Sequence, residues 1–307
     1  MQKIVPLNKE HWLKLRSMDV TSTEVSCLFN LNPYMTKYEL WHNKKDEVVV
    51  KIDETERMRW GTRLEPVIAK GIAEDKGWQI RHMPEYIRDE NLRAGSSFDY
   101  SIEGDVPGIL EIKNVDTLIF KDGWEIDEDG NLEAPPHIEL QVQHQLMLTD
   151  RTFAYIGALV GGNNLQLIRR DRSDNIIKAI KKEIKAFWVS VIENNPPEID
   201  WEKDSDFIIK LNQYSQPEKV MTLVNPEDEL FDLTSQYKEV MAKEKELSSK
   251  KNELKAKVLQ IIGDHEKVTS NKFTISAGMI GPAELSFTRK GYRNFKISFK
   301  KEKNESV

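Results

Sequence analysis

Cysteine is almost absent, with Cys27 alone among 307 residues. A single thiol excludes an intrachain disulfide, a self-contained iron–sulfur cluster and a cysteine zinc site, each of which needs several thiolates. It also suits a reducing cytoplasm. Long apolar runs are lacking too. A run such as Tyr155-Ile156-Gly157-Ala158-Leu159-Val160 falls far short of the roughly 20 residues that span a bilayer, so no membrane partner is expected. The start, Met1-Gln2-Lys3-Ile4-Val5-Pro6, has no apolar centre of the secretory type, and a cytoplasmic location is expected. No repeat of motif length recurs. A strong basic excess is missing as well: 45 Lys and Arg stand against 51 Asp and Glu, a formal charge of -6. That argues against a chain that coats nucleic acid over its whole surface. It leaves room for a basic groove on an acidic body, and a metal site needs clustered carboxylates.

What is present reads as a soluble globular chain, 39% hydrophobic and 31% charged, long enough for one large domain or two ordinary ones. Residues 9–30 suggest a helix, a turn and a second helix capped within Thr21-Ser22-Thr23-Glu24. Asn32-Pro33-Tyr34 breaks that helix, and Lys37–Lys45 forms another. Residues 55–77 read as a helix with Leu64, Ile68 and Ile72 on one face and Gly77 as C-cap; Pro66 predicts an irregular or kinked first turn. Strand-like segments follow at Trp78–Arg81, Tyr86–Arg88, Arg93–Ile102, Gly108–Val115, Phe153–Leu159 and Leu165–Ile168. Helices are expected over His137–Leu148 and Asp174–Asn194. This order predicts an α/β fold with a mixed sheet flanked by helices.

The chemistry centres on Asp99 and on Glu111-Ile112-Lys113. On a strand, residues two apart share a face, so Glu111 and Lys113 project together while Ile112 enters the opposite, apolar layer. The turn-rich Glu103-Gly104-Asp105-Val106-Pro107-Gly108 can fold the Asp99 strand back beside them. Two close carboxylates repel each other, and a hard divalent cation such as Mg²⁺ relieves the repulsion. An adjacent lysine can orient or deprotonate an attacking water and stabilise charge on a phosphate. Charged pairs on a strand are more often a solvated face. Here Ile109, Leu110 and Ile112 point to a buried strand, where a carboxylate and an ammonium both need partners.

Several ordered motifs carry a resemblance over roughly residues 10–195. They are Trp12-Leu13-Lys14-Leu15-Arg16 with Val20-Thr21-Ser22-Thr23-Glu24-Val25, then Asn32-Pro33-Tyr34 with Tyr38-Glu39-Leu40-Trp41. Trp60-Gly61-Thr62-Arg63-Leu64-Glu65, Asp99 with Glu111-Ile112-Lys113, and Gln141-Val142-Gln143 complete the series. Together they resemble the lambda exonuclease and YqaJ-type viral recombinase family of the PD-(D/E)xK nuclease superfamily. Phe98 and Tyr100 stand where the family pattern has proline and glycine; neither position supplies a ligand side chain.

The resemblance implies a restriction-endonuclease-like core and a catalytic set of Lys113, Glu111, Asp99, Glu65 and Gln143. Asp99, Glu111 and the main-chain carbonyl of Ile112 would hold two Mg²⁺ ions, with Mn²⁺ as a substitute. Glu65 would be an outer ligand or a partner of Lys113. Gln143 would hydrogen-bond within the same network, ahead of Gln141. Arg16 and Thr23, with Ser22 as the neighbouring candidate, would hold a 5′-terminal phosphate, a bidentate guanidinium and a hydroxyl being suited to it. The implied activity is 5′→3′ digestion of one strand of double-stranded DNA from its ends, leaving 3′ overhangs for recombination. The implied assembly is a ring-shaped homotrimer with a single-strand annealing protein as partner, encoded by a phage or prophage. A restriction- or repair-type endonuclease and a non-catalytic DNA-end binding protein are the alternatives.

The expected organisation is an exonuclease domain over 1–200, a linker over 201–225 and a C-terminal helical arm over 226–307. In the arm, Asn225-Pro226 opens a long helix, and Leu230, Leu233, Tyr237, Val240, Leu247, Leu254, Val258 and Ile261 keep a near-heptad seam. Short strands are expected at Phe273–Ser276, Leu285–Thr288 and Phe295–Phe299. The basic, aromatic-interleaved tail from Arg289 to Lys303 suits either a nucleic-acid backbone or a solvated sheet face.

Overall fold

A computed structural model describes residues 1–46, 54–128, 130–213, 221, 229–284, 286, 293 and 297. Two compact units emerge, Met1–Ile208 and Ile209–Val307. The first begins with β1 (Gln2–Ile4), α1 (Lys9–Met18), β2 (Val20–Thr21) and a 3-10 turn at Val25–Phe29. There follow α2 (Lys37–Lys45), α3 (Glu56–Lys76), β3 (Ile80–His82), β4 (Tyr86–Asp89), β5 (Ala94–Ser96), β6 (Tyr100–Ile102) and β7 (Gly108–Val115). Next come α4 (Thr117–Gly123), β8 (Glu125–Ile126), β9 (Leu132–Glu133), α5 (Pro136–Thr149), β10 (Phe153–Val160), β11 (Asn164–Asp171), α6 (Asp174–Ile192) and α7 (Trp201–Leu211).

Local chemistry sets the helix ends. Asn8 caps α1 by accepting the His11 N–H at 2.8 Å, and Thr36, Thr55 and Ser173 cap α2, α3 and α6 in the same way. Gly77, at φ 66°, closes α3 in the left-handed conformation that a side chain would disfavour. Pro66 sits within α3, yet the helix runs unbroken from Glu56 to Lys76, so the irregular first turn expected from the proline is not found.

The main sheet has the order β11-β10-β7-β6-β3. Its centre, β7, pairs parallel with β10 and antiparallel with β6. The parallel pair requires a crossover, and α5 lies within it. One face of β7 packs Leu110 and Ile112 against Ile68, Ala69 and Ile72 of α3. The other face puts Ile109 and Val115 into the larger core with Val142, Leu146, Ile180 and Trp188. Gly157 on β10 permits the α3 approach, because a Cβ there would overlap the Ile72 side chain. A second sheet, β1-β4-β5-β2, carries the α1–β2 corner.

Three expectations need correction. The single strand expected over Arg93–Ile102 is two short strands, β5 and β6, in different sheets. The helix expected after Thr21–Glu24 is only the 3-10 turn, which has no side-chain cap. The linker expected over 201–225 opens with α7, an amphipathic helix whose buried Asp204 accepts the Thr36 hydroxyl at 2.5 Å.

The second unit contains α8 (Glu229–Ile262) and a small hairpin of β12 (Lys267–Thr269) and β13 (Thr274–Ser276). The apolar seam of α8, including Leu233, Val240, Leu247 and Leu254, is exposed. The helix start at Asn225-Pro226 lies outside the described residues, as do the strands expected at Leu285–Thr288 and Phe295–Phe299 apart from Ser286 and Ile297, and most of the basic tail.

His144 on α5 is fully buried, and burial drives its pKa down to about 3. The unfolded chain binds a proton near the ordinary histidine value of about 6.5, whereas the folded chain does not. Stability is therefore expected to fall as pH drops below about 6.5, above the carboxylate range. Denaturant titrations between about pH 7 and 5 should show this slope, and His144→Leu should flatten it; an unchanged slope in the variant would assign it to other groups.

Candidate active site

The site begins where β5 ends. Between β5 and β6 the chain leaves one sheet for the other, and Asp99 sits in that break. Its Oδ2 accepts the Ile112 N–H at 2.8 Å, which ties it to the centre of β7. Glu111 and Lys113 project from the opposite face of β7 to Ile112, and the Lys113 ammonium donates to Glu111 Oε1 at 2.7 Å. The structure thus brings Asp99, Glu111 and Lys113 together across sequence gaps, as the strand geometry predicts.

Glu111 is 3% exposed, and a carboxylate that deep needs donors. Two come from α5. Gln141 Nε2 donates to Oε1 at 2.5 Å, and Gln145 Nε2 to Oε2 at 2.7 Å. Gln141 also accepts from Lys113 through Oε1 at 3.1 Å. Gln145 reaches back to the Ser97 carbonyl at 3.3 Å.

Gln143 does not join this network, which corrects the expectation. Residues two apart on a helix differ by about 200° in direction, so Gln143 faces away from Gln141 and Gln145. It donates to the Asp171 carbonyl and accepts the Ser173 N–H, each at 2.9 Å. Its task is to fasten the end of β11 and the start of α6. Gln145 was missed by the motif, although its i, i+4 spacing from Gln141 puts both on one face.

Charge in the cluster is unbalanced toward the negative. Burial, followed by the Glu111 charge, raises the Asp99 pKa well above its ordinary value, against the pull of Lys113. Burial and Glu111 also raise Glu65, which faces the same centre from α3. Burial disfavours the Lys113 ammonium, but Glu111 and Asp99 outweigh it and hold its pKa above the ordinary lysine value. Such an arrangement of hard oxygen donors suits a divalent cation that keeps several waters. Among the described residues no set of three or more His, Cys, Asp and Glu side chains closes into a full ligand cage, and a cation bound mainly through two carboxylates does not need one.

A second cluster lies at the α1–β2 corner. Arg16 Nη2 donates to Thr23 Oγ1 at 3.1 Å, and the guanidinium stacks 4.8 Å from the Trp12 ring centre. Trp12 is anchored by its indole N–H to Ser97 Oγ at 2.8 Å. Thr23 is exposed, while Ser22 is buried with its hydroxyl on Ser96 Oγ at 2.7 Å. Thr23, not Ser22, is therefore the hydroxyl that Arg16 presents to solvent. Ser97 touches both clusters, through Trp12 on one side and Gln145 on the other.

Comparison with known proteins agrees with this architecture. Residues 11–152 match the model of the YqaJ-like viral recombinase domain. The uncharacterized protein YqaJ of Bacillus subtilis (strain 168) is 28% identical over 216 residues, which is 69% of this chain. The chain spans 65% of the length of that curated relative. The crystal structure of LHK-Exo in complex with dAMP superposes with a TM-score of 0.51 at 20% identity, over 66% of this chain and 100% of that one. A second structure, an alkaline exonuclease (LHK-Exo) from Laribacter hongkongensis, gives 0.49 at 22% identity over the same shares. At 20% identity, the likeness to the LHK-Exo complex shows a shared fold.

Cation binding has a direct readout. Mg²⁺ or Mn²⁺ at about 100 times its dissociation constant should stabilise the folded protein by about 2.7 kcal/mol and raise Tm. Asp99→Asn should abolish the rise, and an equal rise in that variant would place the cation elsewhere.

Proposed function

We propose that the protein, whose residues 11–152 match the model of the YqaJ-like viral recombinase domain, is a divalent-metal-dependent DNA exonuclease. It hydrolyses one strand of duplex DNA from an end in the 5′→3′ direction and leaves a 3′ overhang. The observation that carries this reading is the convergence of Asp99, Glu111 and Lys113 on one buried centre, with Glu65 facing it. LHK-Exo shares the fold and was solved with dAMP, a nucleotide of the kind that strand digestion releases.

Asp99, Glu111 and the Ile112 carbonyl would hold two Mg²⁺ ions, or Mn²⁺ in their place, with Glu65 as outer partner. Bound there, the cations supply the positive charge that makes water acidic enough to attack a phosphodiester and that steadies the departing oxygen. The chain does the rest. Gln141 and Gln145 fix both oxygens of Glu111, so the carboxylate cannot rotate away. Lys113 donates to the attacking water or to the phosphate oxygens on which charge develops. Arg16 and Thr23 take the 5′-terminal phosphate through a charge-assisted pair of donors, which favours attack at ends over attack within a duplex. A homotrimeric ring would keep the enzyme on its substrate, and a single-strand annealing protein would receive the overhang. The setting is the cytoplasm of a bacterium carrying a phage or prophage.

The test uses linear 5′-phosphorylated duplex and covalently closed circular DNA with Mg²⁺ or Mn²⁺. The linear DNA should release nucleotides and the closed circle should stay intact. Lys113→Ala should lower the rate by about 10³-fold. Gln145→Ala should cost about 10–100-fold, as loss of a group that orients a metal ligand does, whereas Gln143→Ala should act mainly on Tm. Cleavage of the closed circle would favour the restriction- or repair-type endonuclease, and binding without any release would favour a non-catalytic end-binding protein.

A further inference from the structure

The Arg16–Thr23 cradle rests on a buried ion pair that the reaction itself does not use. Lys44, in the last turn of α2, is 4% exposed. Its ammonium donates to the Arg16 carbonyl at 2.8 Å and meets Glu24 Oε2 at 2.8 Å. The same Glu24 oxygen accepts the Thr21 N–H at 2.9 Å. Thr21 Oγ1 lies 3.2 Å from Thr23 Oγ1, the hydroxyl that Arg16 contacts.

We propose that Lys44 and Glu24 are positioning residues that hold Arg16 and Thr23 at the separation a 5′-terminal phosphate requires, and so set the preference for phosphorylated ends. This rests on the exonuclease reading above. The two halves of the cradle come from different segments. Arg16 belongs to the end of α1, where carbonyls lack helical partners, and Thr23 to the turn before the 3-10 segment. Lys44 ties the first to the second through Glu24. It does so from a third segment, which makes the spacing independent of either loop.

Lys44 has a second effect. Burial alone would raise the Glu24 pKa, yet Lys44 and then Arg16 outweigh it and hold Glu24 below the usual carboxylate range. Glu24 is therefore negative directly behind an anion cradle. Without Lys44 that charge would repel an incoming phosphate and compete for the Arg16 guanidinium. Lys44 thus cancels the field as well as fixing the frame.

The experiment measures digestion of one duplex carrying either a 5′-phosphate or a 5′-hydroxyl, with kcat and KM for each. Lys44→Met keeps the length of the stem and removes the charge. It should lower the phosphate-to-hydroxyl rate ratio by roughly tenfold, with the loss in KM for phosphorylated ends. Because a lone buried Glu24 can unfold that variant, Lys44→Met/Glu24→Gln is measured beside it. This neutral pair should fold, as Tm will report, and should still lose the ratio, since the tether to the Arg16 carbonyl is gone. Lys44→Arg should recover part of it. A folded variant with the wild-type ratio, or one slowed equally on both ends, overturns the positioning role alone. Wild-type protein that digests both ends equally overturns the Arg16–Thr23 reading and this inference with it.

Discussion

Glu111 is a buried carboxylate on the central strand of the main sheet, on the face that also buries Ile109 and Val115 in the larger core. Removing such a group from water costs several kcal/mol unless donors replace the lost solvent. Lys113 supplies one donor from the same strand, and α5 supplies the other two. The helix therefore has little freedom. It must cross β7 at the level of Glu111 with Gln141 and Gln145 turned inward. The parallel pairing sets Glu111 opposite Ile156 on β10, and α5 lies in the crossover between the two strands. The remaining glutamine, Gln143, falls on the far face and clamps the β11–α6 junction. One short sequence of alternating glutamines thus serves both the acidic centre and the packing of the next helix.

The parts governed by periodicity were legible in the sequence. Gly108–Val115, with its apolar residues around a charged pair, is the observed β7, and Lys37–Lys45 is the observed α2. The meeting of Asp99 with the Glu111 strand followed from the turn-rich link between them. Gln143 was misplaced for an equally physical reason. A motif records which residues are present, whereas the 3.6-residue period decides which of them face the site. The period puts Gln141 and Gln145 on one face of α5 and Gln143 on the other, and the bonds to Glu111 show which face meets the site.

Elements set by long-range contacts were less legible. Arg93–Ile102 has the composition of one strand, but Gly95 leaves no room for a side chain beneath Tyr86 and Asp19, and β5 pairs parallel with β2. Those partners are distant in sequence and carry no local signal. The same holds for α7, whose buried Asp204 answers to Thr36, the N-cap of α2. The corner at Thr21–Glu24 has cap-forming residues, yet Glu24 is drawn to Lys44 and the Thr21 N–H. The Glu24 bond to the Thr21 N–H is half of a capping box, yet the segment that follows is only the 3-10 turn.

The break between β5 and β6 gives the molecule its functional geometry. Ser96 bonds the Ser22 hydroxyl, Ser97 receives Trp12 and passes its carbonyl to Gln145, and Asp99 receives the Ile112 amide. These obligations point in different directions and fall on nearly successive residues. A continuous strand would send alternate side chains to two opposite faces and could not meet them all. Leaving the first sheet at Ser96 and entering the second at Tyr100 lets one short segment serve both clusters. A slip of one residue would turn Asp99 away from Ile112 and Ser97 away from Trp12 together. The spacing between the Arg16–Thr23 cradle and the acidic centre is therefore set by backbone that cannot shift without disrupting both.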